Sequence, residues 1–319
     1  MKELTIGPND AGQRLDKFLQ KALPALPLSL MQKYIRIKRI KRNGKRCQTN
    51  DRLEPGDVLA LYINDEFFEK PGSEEAFRRI RPALRIVYED ENLLLCDKRP
   101  GMVVHEDDEG ATDTLINHIK AYLYEKGAWD PAQEQSFTPA LCNRIDRYTG
   151  GIVMAAKTAE ALRILNEKIK QHQVQKYYLC LVHGAPSPRE AVITDKLLKN
   201  SADNTVRVVH GNVKDARTAS MRYRVLESRG GVSLLECELF TGRTHQIRVQ
   251  LASRGWPLVG DTKYGTMARN RPYGMTHQAL YSYKLHFAFQ GACGCLENVK
   301  NKTFQVEDVP FLDFFHSLH

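Results

Sequence analysis

Strand-like and helix-like stretches mix in this chain without a regular alternation, and that irregularity constrains its fold more than any other feature. Tyr177-Tyr178-Leu179-Cys180-Leu181-Val182, the stretch from Ser220 to Leu226 and that from Val232 to Phe240 read as strands, with apolar residues alternating or unbroken. Leu84 to Tyr88 and Leu93 to Cys96 read as a strand pair around Glu89-Asp90-Glu91-Asn92. Leu115, Ile119 and Tyr122 mark one face of a helix at about 114–126, and Leu162, Leu165 and Ile169 mark another after Thr158. The expected class is therefore α+β, a mixed, largely antiparallel sheet with flanking helices, in preference to a doubly wound nucleotide fold.

At 319 residues and 42% hydrophobic, the chain is long enough for two domains with sizeable cores. A formal charge of +9 favours an anionic partner. No apolar stretch approaches the roughly 18 residues that span a bilayer, and the polar start Met1-Lys2-Glu3 lacks the apolar core of a signal peptide, so no membrane partner and a cytoplasmic location are expected. The seven cysteines are an odd number, scattered mostly through apolar runs, and read as buried reduced thiols. Cys293-Gly294-Cys295 lacks a second ligand pair, so no metal site is expected.

Charge is concentrated near the start. Leu15, Phe18, Leu19 and Leu23, then Leu30, Met31, Tyr34 and Ile35, repeat at helical spacing, the second set after a candidate cap, Ser29. From Lys33 to Arg46 eight of fourteen residues are basic: Lys33, Arg36, Lys38, Arg39, Lys41, Arg42, Lys45 and Arg46. Asn43-Gly44 among them signals a hairpin turn. Charge runs commonly keep a helix face solvated, but one unbalanced sign on a helix end and a hairpin is the footprint of phosphate contacts. Pro55-Gly56-Asp57 then leads into the apolar run Val58 to Ile63, and residues 64–82 shift in composition as a linker or crossing segment would.

Two short segments carry candidate chemistry. In Asn143-Arg144-Ile145-Asp146-Arg147-Tyr148-Thr149-Gly150-Gly151, one carboxylate stands between arginines that favour its charged form, in a turn that glycine permits. Such an aspartate suits a nucleophile or base, while a surface aspartate balancing two arginines explains the segment equally well. In Thr241-Gly242-Arg243-Thr244-His245-Gln246-Ile247-Arg248, a turn opens what reads as an amphipathic helix, from which Arg248 can reach a cleft and orient the carboxylate. His245 fits a hydrogen-bonded turn better than a general base.

Taken with their surroundings these segments resemble the RluA-type pseudouridine synthases. The resemblance rests on Arg144-Ile145-Asp146-x-x-Thr149-Gly150-Gly151, Gly242 to Val249, Lys176-x-Tyr178-Leu179-x-Leu181-Val182, Lys98-x-Pro100-Gly101-x-Val103-Val104-His105 and Gly260-Asp261-x-x-Tyr264-Gly265, in the family's order. The start, Gln13 to Leu19 with Lys41-Arg42-Asn43-Gly44-Lys45, resembles the alpha-L RNA-binding module. Two positions depart: the family commonly has His at Asn143 and Ser at Gly150.

The resemblance implies an isomerase that breaks the C1′–N1 bond of a uridine in RNA and rejoins the base through C5, without metal, nucleotide or redox cofactor. Asp146 would be the catalytic group, Tyr178 would stack on the base, Arg248 would pair with Asp146, and Arg144 would fill the space the base vacates. Lys33, Arg36, Lys38, Arg39, Arg42, Lys45 and Arg243 are the further RNA-binding candidates. The expected division is an alpha-L RNA-binding domain at 1–66, a linker at 67–82 and a catalytic domain at 83–319, acting as a monomer. Large-subunit ribosomal RNA is the favoured substrate, with transfer RNA the runner-up and a non-catalytic ribosome-assembly factor the alternative class. The acidic run after His105 (Glu106-Asp107-Asp108-Glu109) reads as a solvated loop, not a hydrolase metal site.

Overall fold

The computed structural model describes residues 1–68, 72–105, 111–200 and 203–319, with the backbone alone at 72–75. The run 106–109 lies outside the described residues. The N-terminal part holds β1 (Lys2–Thr5), α1 (Leu15–Ala22), α2 (Leu28–Arg36), β2 (Ile40–Arg42), β3 (Lys45–Arg46) and β4 (Val58–Leu61), with sheet order β1-β4-β2-β3. Leu15, Phe18 and Leu19 are wholly buried and meet Met31, Ile35, Leu59 and Leu61 in a core of their own. Asn43 and Gly44 both adopt positive φ, 50° and 72°, which gives the tight β2–β3 turn the twist a hairpin needs. Asp57 braces that turn, accepting from Asn43 Nδ2 at 2.7 Å and pairing with Arg42 at 2.6 Å. Ser29 does not cap α2: the helix starts at Leu28, and Pro27 occupies the cap with the φ of −59° that its ring imposes.

After short 3-10 turns at Asp65–Phe68 and Gly72–Arg79, Phe77 is buried against Trp129, ring centroids 5.3 Å apart, so the crossing segment packs onto the larger core. That core is built on β5 (Ile86–Glu89), β6 (Leu93–Lys98), α3 (Leu115–Glu125), β7 (Ala140–Leu141), β8 (Gly150–Ala156), α4 (Ala159–Lys170), β9 (Val174–His183), β10 (Glu190–Asn200), β11 (Thr205–Val209), β12 (Arg217–Arg229), β13 (Val232–Leu239), α5 (Gln246–Ala252), β14 (Leu280–Phe287) and β15 (Thr303–Gln305). Among the described residues these strands form one eleven-stranded sheet, ordered β11-β10-β12-β13-β9-β14-β8-β6-β5, with β15 beside β14 and β7 beside β8. All its ladders are antiparallel except β8–β14, where Gly150 faces Tyr281 and Gly151 faces Ser282. The fold is thus α+β with a mixed, largely antiparallel sheet.

The unbroken apolar run in β8 has a plain cause. Val153 and Ala155 enter the core on one face, and Ile152, Met154 and Ala156 enter a second core on the other, beneath α4. Thr114 and Thr158 cap α3 and α4 by accepting the amides of Asn117 and Ala161. The N-terminal unit meets the sheet unit through polar groups: Asn9 donates to Glu134 at 2.8 Å, Ser136 N to Asp10 at 3.1 Å, and Arg163 to the Ala11 carbonyl at 2.9 Å. Among the described residues no helix is long and apolar enough to cross a membrane.

Candidate active site

A cavity of about 710 Å³ opens where the loop before β8, the start of β9 and the β13–α5 turn converge, and Asp146, Tyr178 and Arg248 all line it. Asn143 closes the loop against its own strand, accepting the Met154 amide at 2.7 Å and donating to the Ile152 carbonyl at 3.4 Å. The buried Lys98 staples the other side: its ammonium donates to the carbonyls of Arg147 (2.9 Å), Met102 (2.9 Å) and Arg99 (3.1 Å). Burial pushes that lysine down to about 8, against the pull of Asp146 and Asp97. Gly151 has φ 108°, and a Cβ there would stand 2.2 Å from the Ser282 carbonyl oxygen. A Cβ on Gly150 would meet the Tyr281 ring at 2.3 Å, so in this chain the tyrosine occupies the room a serine would need.

The second segment supplies the guanidinium. Thr241 Oγ1 donates to Gln246 Oε1 at 2.8 Å, as does Arg243 N at 3.0 Å, which folds the turn back onto α5. This helix is not amphipathic: Gln246 through Leu251 are all buried. Gln246 tolerates burial because it is bonded on both sides, donating to the Ser220 carbonyl at 3.0 Å and accepting from Thr241; Gln250 Nε2 donates to Asp195 at 2.6 Å, while its Oε1 is buried without a partner among the described residues. Arg248 gives Nε and Nη2 to the two oxygens of Asp261, at 2.7 and 3.0 Å, and Nη1 to Asp146 Oδ2 at 2.9 Å. Burial raises the Asp261 carboxyl, but the Arg248 bonds and charge outweigh it and leave it below the usual range, helped by the amides of Tyr264 and Lys263. One fully buried carboxylate thus fixes the arginine, and the arginine fixes one oxygen of the partly exposed Asp146.

Tyr178 and Lys176 lie two residues apart on β9, so the pleat turns both to the cavity. Burial pushes the Tyr178 phenol up to about 12, with the Asp146 charge adding to it and a bond to Ser282 opposing it. Burial also lowers the Lys176 ammonium. His245 precedes α5 in a left-handed conformation, φ 52°; its Nδ1 is 2.7 Å from the Tyr264 hydroxyl and its Nε2 is 3.9 Å from Asp146 Oδ2.

The expectation that Arg144 and Arg147 support the Asp146 charge is corrected. Both are exposed, Arg147 donates to the Gly101 carbonyl at 3.2 Å, and among the described residues the Asp146 carboxylate pairs with Arg248, with the His245 ring nitrogen at 3.9 Å. Arg144 and Arg243 do line the cavity. Lys33, Arg36, Lys38, Arg39 and Lys45 stand exposed on the N-terminal unit, whereas Arg42 is tied to Asp57. Sequence reasoning gave no role to Asp261, Lys98 or Lys176, although each sits in a quoted motif; for Asp261 the available signal was an acid directly after Gly260. Among the described residues no group of three or more His, Cys, Asp or Glu could hold a metal ion.

The family described as RNA pseudouridylate synthase matches residues 92–253, and the S4 domain matches residues 13–59. The chain is 33% identical to the ribosomal large subunit pseudouridine synthase C of Vibrio cholerae, over 89% of this chain and 88% of that protein. It is 32% identical to the ribosomal large subunit pseudouridine synthase D of Nitrosomonas europaea, over 89% and 79% respectively. The solved structure of human RNA pseudouridylate synthase domain containing 1 shares the fold, with a TM-score of 0.55 and 24% identity over 76% of this chain and 88% of that one. With its S4 domain, the chain belongs to the RNA pseudouridylate synthase family and is an isomerase acting on RNA.

Proposed function

We propose that the protein converts specific uridines of large-subunit ribosomal RNA to pseudouridine, with Asp146 as the working carboxylate. The observation that carries the reading is the fixed chain Asp261–Arg248–Asp146, which ends on a carboxylate at the cavity wall with Oδ1 free of hydrogen bonds among the described residues. The names of the similar bacterial proteins support the ribosomal substrate.

A uridine must leave its stack to enter such a cavity, at a cost of a few kcal/mol. Asp146 Oδ1 then meets the nucleotide while Oδ2 stays on Arg248, and Arg144 on the same loop can occupy the space left in the RNA. In the isomerisation the C1′–N1 bond breaks, a C1′–C5 bond forms, N1 gains a proton and C5 loses one. A phenol raised to about 12 is neutral near pH 7, so Tyr178 serves as a stacking surface and hydrogen-bond partner for the base and not as the sole base at C5. Lys33, Arg36, Lys38, Arg39 and Lys45 would bind phosphates, with Arg243 doing so at the cavity rim. Arg42 would instead hold their hairpin in shape through Asp57. The functional units are 1–66 for RNA binding and 83–319 for catalysis, with 67–82 connecting them.

Mass-spectrometric mapping of pseudouridine in ribosomal and transfer RNA, from cells with and without the gene, tests the reading. Loss of large-subunit sites that the intact protein restores and Asp146→Asn does not is the expected result. A missing transfer RNA mark with unchanged ribosomal RNA would move the substrate.

A further inference from the structure

Tyr264 touches four things that matter to the cavity. Its ring lies 5.2 Å from the Arg248 guanidinium, its amide donates to Asp261 at 3.1 Å, its hydroxyl oxygen accepts the Val206 amide at 2.9 Å, and the same hydroxyl is 2.7 Å from His245 Nδ1. Val206 belongs to β11, and Asn204, two residues before it, lines the cavity. Lys263 donates to the Asn204 carbonyl at 3.1 Å.

An amide can only donate, so Val206 N–H uses one lone pair of the Tyr264 oxygen and leaves the phenol proton free to point at His245 Nδ1. When it does, Nδ1 is the bare nitrogen and the imidazole proton sits on Nε2, 3.9 Å from Asp146 Oδ2. Burial favours the neutral ring, with Arg248 and Lys263 acting in the same direction and Asp146 and Asp261 opposing.

We propose that Tyr264 is a positioning residue that couples the β10–β11 hairpin to the catalytic carboxylate, by holding His245 as the Nε2–H tautomer beside Asp146. This rests on the pseudouridine synthase reading and adds to it a path of contacts from β11 through Tyr264 and His245 to the reacting group. His245 acts through Asp146 as a second positioning residue.

The test combines ring-nitrogen NMR of His245 with single-turnover kinetics at saturating RNA. In the wild-type protein near neutral pH, Nδ1 should show an unprotonated signal and Nε2 a protonated one; a protonated Nδ1 would overturn the proposal. Tyr264→Phe keeps the ring beside Arg248, and should lower the single-turnover rate roughly tenfold, as expected for one hydrogen bond, with RNA affinity unchanged within about twofold. His245→Ala removes the ring through which Tyr264 acts, and should lower the rate about as much as Tyr264→Phe does and make Tyr264→Phe nearly silent in its background. Full and independent losses in the double variant would sink the coupling. A wild-type protein that forms no pseudouridine would defeat the functional reading, while the NMR signals would still decide the tautomer.

Discussion

The N-terminal unit and the cavity use charge in opposite ways. On the first, lysines and arginines crowd a helix end and hairpin and stand in water, with Arg42 the member tied down by an acid. In the second, exposed Arg144 and Arg243 stand at the wall, but the charges at its centre are held by partners far away in sequence: the partly exposed Asp146 by Arg248, and Arg248 by the buried Asp261. Exposed like charges act on a polyanion at long range and lose strength in salt, whereas buried pairs are hardly screened and define a geometry. The difference predicts that substitutions can separate binding from chemistry.

Asp146→Asn should produce the largest effect, a fall of roughly 10³-fold in single-turnover rate, as for loss of a group that exchanges a proton or bond with substrate. RNA affinity in a filter-binding assay should be unchanged, and a parallel loss of binding would break the separation. Asp261→Asn should lower the rate by about 10²-fold although the residue never meets RNA, and thermal unfolding should show a loss of about 3 kcal/mol from a buried pair left uncompensated. Next in size, joint replacement of Lys33, Arg36, Arg39 and Lys45 by alanine should weaken RNA binding at least tenfold and reduce the salt slope of log K by roughly 3. The rate at saturating RNA should hold.

Gly150→Ser should cost about 1–3 kcal/mol in unfolding free energy, because its Cβ must displace the Tyr281 ring, whose hydroxyl is bonded to the buried Asp97 at 2.6 Å. The smallest effect concerns acid. Burial raises Glu89, but bonds from Lys126, Lys157 and Tyr122 outweigh it and leave its pKa at about 2. A carboxyl lowered by folding contributes stability that is present above its unfolded pKa and lost as pH falls from there toward 2. Glu89→Gln should therefore flatten the acid limb of the stability curve, measured by urea unfolding, with little change in pH dependence above pH 6.

Much of this was legible from residues alone. The β2–β3 hairpin followed from Asn43-Gly44 because only a few residues accept positive φ at both turn positions, and α3 and α4 followed from apolar spacing behind Thr114 and Thr158. Asp146 and Arg248 were legible as a pair because the segments carrying them resemble a family in which they meet. Less could be read where burial decides: a helix containing Gln246, Arg248 and Gln250 looks amphipathic, yet every residue from Gln246 to Leu251 is buried. Nor does spacing reveal that Asp261 anchors Arg248, since that bond depends on how the chain returns after α5. The reason for glycine at position 150 lay in Tyr281, remote in sequence and adjacent across the β8–β14 ladder.

That ladder also sets an order of assembly. The loop bearing Asp146 leads into β8, which with β6 and β5 lies on one side of β14; Tyr178 on β9 and Arg248 beyond β13 lie on the other. β14 is the seam, and it is among the last strands to be synthesised. A nascent chain that has not yet delivered residues up to Phe287 lacks the strand that joins the half bearing Asp146 to the half bearing Tyr178 and Arg248, and pairing along that seam is a long-range contact of the kind that costs loop-closure entropy before it is rewarded.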